Sequence, residues 1–179
     1  MAKTKIPGRY LEGGQTKVAT ANQSLTAATR TYITGSNIVV PDDGWAVGDV
    51  INWSMHITKT AAGTAASTYD ICFGSTGTTS DVARVSFTKP AGTAVIDEGW
   101  IDIQMVIRSV GASGTAMGTF RMVHNLSATG HATIPIVVVN TLSGAFDTTT
   151  AGGMFGICAT TGASDAITVK MVTASAFNF

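Results

Sequence analysis

The stretch Gly99–Asn125, GWIDIQMVIRSVGASGTAMGTFRMVHN, decides the fold. From Ile101 the odd positions Ile101, Ile103, Met105 and Ile107 are apolar, while the even ones carry Trp100, Asp102, Gln104, Val106 and Arg108. That is a period of two, the signature of a strand with one face on the core. The alternation stops at Gly111-Ala112-Ser113-Gly114, small residues that supply positive φ cheaply, and apolar residues return at Met117, Phe120, Met122 and Val123. The pattern predicts a long β-hairpin, central in a large sheet, whose first arm spans about 30 Å at the usual rise per residue.

Strand signals surround this hairpin on both sides. Thr31–Val40 reads as a first strand, closed by Pro41-Asp42-Asp43-Gly44, where Pro, Asp and Gly each favour a turn. Val50–Thr58 has the cleanest alternation, with Ile51, Trp53, Met55 and Ile57 on one face. Further strands are expected at Tyr69–Phe73, Val82–Phe87, Thr133–Leu142, Met154–Ala159 and Ala166–Thr173. Thr133–Leu142 is apolar almost throughout, as in a strand buried on both faces, with Pro135 at an edge or bulge because it cannot donate to a ladder. Eight or nine strands joined by short connections leave no room for crossover helices. The expected fold is therefore all-β, an antiparallel β-sandwich of jelly-roll type.

A chain of 179 residues is long enough for one well-formed core and short for two. Residues 1–30 form an extended basic arm: Lys3, Lys5, Arg9, Lys17 and Arg30 face only Glu12, a net of +4, so residues 31–179, the single sandwich domain, carry −4. With Ile6, Tyr10 and Leu11 as apolar anchors, the arm is expected to dock on a partner through Lys3, Lys5, Ile6, Arg9, Tyr10, Leu11 and Arg30. Five dispersed cations do not make the clustered patch that nucleic-acid binding needs. Charged residues are 12% of the chain, about half the usual share, and the net charge is zero. Such a surface is expected to be covered by other copies of the chain, in a homo-oligomer.

Recognisable chemistry is scarce. There is no nucleophile elbow, P-loop or dinucleotide fingerprint, and Cys72 and Cys158 each lie in an apolar run, as free core thiols do. His124 and His131 flank one turn, with Asp147 the nearest further acid in sequence for a metal site; a structural, hydrogen-bonding role is favoured over a metal. Asp97-Glu98 reads as an ordinary solvated pair, Trp53 as core, and Trp45 and Trp100 as cover for an interface. The chain opens without an apolar leader and contains no run long enough to span a membrane, so synthesis in a cytoplasm is expected. The expectation is a non-enzymatic protein without cofactor or metal.

At TKTAAGTAAS (Thr58–Ser67), SFTKPAGTA (Ser86–Ala94) and HNLSATGHATIP (His124–Pro135) the chain resembles a group of small virion structural proteins of tailed bacteriophages. These are jelly-roll capsid-decoration or head-fibre proteins and tail-fibre modules. The resemblance implies a sandwich that trimerises on the outer surface of a virion, and no catalytic residue comes with it. Its partners would be copies of itself and the major capsid protein or another virion protein. The favoured role is a cement protein that stabilises the head shell. The alternative is a tail-fibre or receptor-binding module that recognises a host glycan.

Overall fold

The computed structural model describes residues 15–25, 27–41, 44–126, 129–133, 139–162 and 166–177. In chain order the strands are β1 (Thr16–Ala19), β2 (Gln23–Ser24), β3 (Arg30–Tyr32), β4 (Ile38–Val39), β5 (Val50–Lys59), β6 (Ser67–Gly74), β7 (Val82–Lys89), β8 (Asp97–Ser109), β9 (Thr115–His124), β10 (Val139–Leu142), β11 (Met154–Thr160) and β12 (Ile167–Phe177). All the strand pairs are antiparallel. They form an all-β sandwich: a seven-stranded sheet in the order β1-β12-β5-β8-β9-β10, with β2 also on β12, and a five-stranded sheet in the order β3-β11-β6-β7, with β4 also on β11.

The hairpin β8–β9 lies inside the larger sheet, with β8 paired to β5 on its other side over ten positions, Val50↔Val106 to Lys59↔Asp97. Its odd residues Ile101, Ile103, Met105 and Ile107 are fully buried, as the alternation requires. They meet Tyr69, Ile71 and Phe73 of β6 and Phe155 and Ile157 of β11 in one core. Complete burial of each such aliphatic side chain contributes about 2 kcal/mol. Gly118 of β9 faces this core, where a Cβ would lie 2.9 Å from the rings and methyls of Phe87 and Val85. The missing side chain lets β7 close on the larger sheet.

Ser36 ties the two sheets together. Its hydroxyl donates to Ile33 O and accepts from Ile157 N of β11, while its carbonyl accepts the indole N–H of Trp53 from β5 at 2.6 Å. The single strand expected at Thr31–Val40 is therefore two, β3 and β4, separated by a turn through Gly35 at φ 85°. Residues 16–24, expected within the arm, instead pair with β12 as β1 and β2. These short elements account for most of the excess over eight or nine strands. β10 also departs from expectation: it is an edge strand on β9, and Val139 and Leu142 are exposed where burial on both faces was expected. Pro135 lies outside the described residues. Trp45, expected at an interface, is in the core against Phe155.

Candidate assembly face and docking platform

No layer of the described chain covers the outer face of the seven-stranded sheet, and its register sorts side chains into rows. Directly paired residues of antiparallel strands point to the same side. One row runs Phe177-Val50-Val106-Met117-Leu142 across five strands and is wholly apolar. Phe177 and Leu142 at its ends are 48% and 57% exposed. The next row, Ser175-Asn52-Gln104-Thr119-Asn140, is a ladder of hydroxyls and amides, with Gln104 Nε2 donating to Asn52 and Thr119 Oγ1 donating to Asn140.

Within these rows the paired charges lie in the third, Thr173-Ser54-Asp102-Arg121, with Glu98 and Arg108 exposed at the two ends of β8 beyond the rows; Asp102 accepts from Arg121 Nη2 at 2.6 Å, from Ser54 Oγ at 2.6 Å and from Trp100 Nε1 at 2.8 Å. Burial alone would raise the Asp102 carboxyl, but these donors outweigh it and hold it below the usual carboxylate range. In the fourth row, Met171-His56-Trp100-Val123, the His56 and Trp100 rings stack at 6.0 Å. The four rows carry one acid and one base that neutralise each other in the plane of the sheet.

A second feature lies at the open end of the β8–β9 hairpin, where three connections meet. Gly92 N donates to Thr64 O, Thr93 N to Gly130 O, and Thr133 N to Ala91 O, each at 2.9 Å. These loops belong to the stretches Thr58–Ser67, Ser86–Ala94 and His124–Pro135, whose described residues form one platform. Gly92 and Gly130 permit the contact: a Cβ on Gly92 would meet Gly130 O at 1.9 Å, and one on Gly130, at φ +62°, would meet the Asp97 carboxylate at 2.1 Å.

Four charged or titratable side chains are buried under the platform. Asp97 is only 2% exposed, contrary to the expectation of a solvated acid. Its Oδ2 bonds His124 Nδ1 at 2.7 Å and accepts from His131 N at 2.9 Å, while Oδ1 accepts from Glu98 N and Leu126 N. Burial would raise this carboxyl, yet the His131, His124 and Leu126 donors prevail and lower it. Lys89 Nζ donates to the carbonyls of His131, Pro90 and Ala65, and Lys59 Nζ to those of Thr93 and Thr60. The His131 ring is fully buried, and neither nitrogen has a hydrogen-bond partner. Burial pushes its pKa down to about 4; Asp97 opposes this, and Lys89, His124 and Lys59 add to it.

His124 and His131 are thus brought together, ring centroids 6.2 Å apart, but their acid is Asp97. Asp147 is exposed and occupied with Thr149. Among the described residues no group of three potential ligands is placed to hold a metal ion. Lys59 and Lys89 were legible in principle, since each continues the inward parity of its strand by one step beyond the apolar run, and Asp97 does so by two, past Gly99.

Arg30, expected in the docking set, is spent within the chain. Its guanidinium donates to Asp70, to the Thr79 and Asp81 carbonyls and to Cys72 Sγ, pinning the β6–β7 connection to β3. Cys72 and Cys158 are free and buried, as expected, and touch each other on the outer side of the smaller sheet. Lys3, Lys5, Ile6, Arg9, Tyr10 and Leu11 lie outside the described residues. No family model matches the chain, and neither does any curated protein or solved structure.

Proposed function

We propose that the protein is a structural protein of a tailed-bacteriophage virion: a homo-oligomer, most simply a trimer, that decorates the outer head surface and cements the shell. The observation that carries this reading is the outer face of the seven-stranded sheet, with its apolar row across five strands and its charges neutralised in place. These four rows, balanced in formal charge, meet a copy of themselves without like-charge repulsion and offer no excess positive charge to a polyanion. Five strands about 4.8 Å apart and four rows about 6.6 Å apart give on the order of 600 Å² with side-chain margins, near the ~800 Å² per partner of a standard interface.

The winding supports the same reading. The pairs β1–β12, β3–β11, β5–β8 and β6–β7 are nested in the chain and alternate between sheets, as when one long ribbon folds over itself into a jelly roll, with β9 and β10 appended. The arm, through Lys3, Lys5, Ile6, Arg9, Tyr10 and Leu11, and the three-loop platform supply the contact with the shell. Cosedimentation of purified protein with undecorated particles tests this: saturable binding to heads supports it, and absence of binding contradicts it. One observation favours a tail-fibre or receptor-binding module instead: the half-buried Trp100 stacked on His56 beside Glu98 and Asn125, which suits the apolar face of a sugar. Specific signals on a glycan array would favour that alternative.

A further inference from the structure

His131 is an expensive residue to bury. An imidazole shut away from water with neither nitrogen hydrogen-bonded gains nothing from its polarity, and the titratable neighbours around it come from four strands: Asp97 of β8, Lys89 of β7, His124 of β9 and Lys59 of β5. Two of these are ammonium groups, whose positive charge opposes a second cation beside them. The ring also packs edge-on against Gly99, where a Cβ would come within 3.2 Å of Cδ2, so a hydrated imidazolium has no space.

The backbone around this ring holds the platform closed. His131 N is one of the four donors to Asp97, its carbonyl takes Lys89 Nζ at 2.6 Å, and Gly130 and Thr133 bond the 91–93 connection on either side. Residues 129–133 can leave only if the ring leaves with them. Once in water the ring is free to take a proton that it cannot take while buried.

We propose that Thr129–Thr133 is an acid-released latch: neutral His131 locks the three-loop platform, and proton uptake by the exposed ring holds the segment open. The open state is the one that binds the proton, so acid shifts the population toward it. With the ring titrating near 6.5 when exposed and about 4 when buried, opening becomes about 30-fold more populated at pH 5 than at pH 7.5. Asp97 acts in the same direction at lower pH, because its carboxyl is held below the ordinary range partly by His131 N, and that hold is lost when the segment opens.

This latch regulates the platform that the functional reading assigns to shell contact, yet it is tested on the free protein. Failure of the latch therefore leaves particle binding untouched, and the reverse also holds. Hydrogen exchange of peptides covering 129–133, corrected for intrinsic exchange rates, is measured at pH 7.5 and pH 5 in the native chain and in His131→Leu. The native opening constant should rise about 30-fold, while strand β8 changes little; in the Leu variant the rise should vanish. A native change below about threefold overturns the latch even if the variant does not fold. So does a Leu variant that keeps the native pH response.

Discussion

Oδ2 of Asp97 lies 2.7 Å from Nδ1 of His124, and the same carboxylate takes the backbone N–H groups of Glu98, Leu126 and His131. One buried acid at the first position of β8 thus fixes the end of β9 and the turn that follows it. Asp97→Asn replaces acceptor lone pairs with an amide that must point a donor at one of these donors. The expected cost is about 3 kcal/mol of unfolding free energy, measured by denaturant titration at pH 7. The sign with pH is fixed as well. The lowered carboxyl stabilises the native state above its ordinary value and loses that contribution as pH falls through its own, so the gap between native protein and variant should narrow below about pH 4.

Trp53 and Ile103 are neighbours across β5 and β8, both 1% exposed, and Trp53 also donates its indole N–H to Ser36. Ile103→Ala should cost about 3 kcal/mol, and Trp53→Ala about as much or more because it also leaves Ser36 O without its donor. Thermal unfolding of both variants checks this; unchanged melting temperatures would contradict the inward assignment of this face.

Val106 is the centre of the apolar row on the outer face. Val106→Glu, at a half-buried outward position, should leave the far-ultraviolet circular dichroism intact and convert the oligomer to an 18.4 kDa monomer in light scattering. Val82→Glu, on β7 of the other sheet, is the control and should remain oligomeric. A native protein that is already monomeric at 100 µM, or loss of assembly only in the control, would contradict the assignment of this face.

The described sheet begins directly after Gln15. The Gln15 side chain brackets Val39, donating to its carbonyl and accepting its N–H, and β1 follows at once. Removal of residues 2–14 should therefore leave a folded, oligomeric body that no longer binds particles, whereas removal of residues 2–20 should also weaken the sheet. Equal binding by the shorter truncation and the full chain would assign attachment to the platform alone.

The alternation at 101–107 and 51–57 made the sandwich legible, because inward parity in a strand depends only on its neighbours. The same parity extended to Lys59, Lys89 and Asp97, but charge argued for solvent. Much of the compensation that overrides it, the carbonyls of 65, 93 and 131 around the lysines and the N–H groups of Leu126 and His131 on Asp97, comes from loops remote in sequence. Arg30 misled for the same reason: in a basic segment it reads as a free cation, and its acid, Asp70, is 40 positions away. The break at Gly35 depended on Ser36 finding Ile157, a contact across 121 positions that no local pattern encodes.

Cryo-electron microscopy of the phage particle proposed to carry this chain tests the virion assignment most directly. The account predicts symmetric clusters of two-sheet sandwiches on the outer head surface, packed against one another through the Phe177-Val50-Val106-Met117-Leu142 row, with residues 2–14 and the three-loop platform against the shell. Density for the chain confined to the tail, or none on the particle, would contradict it.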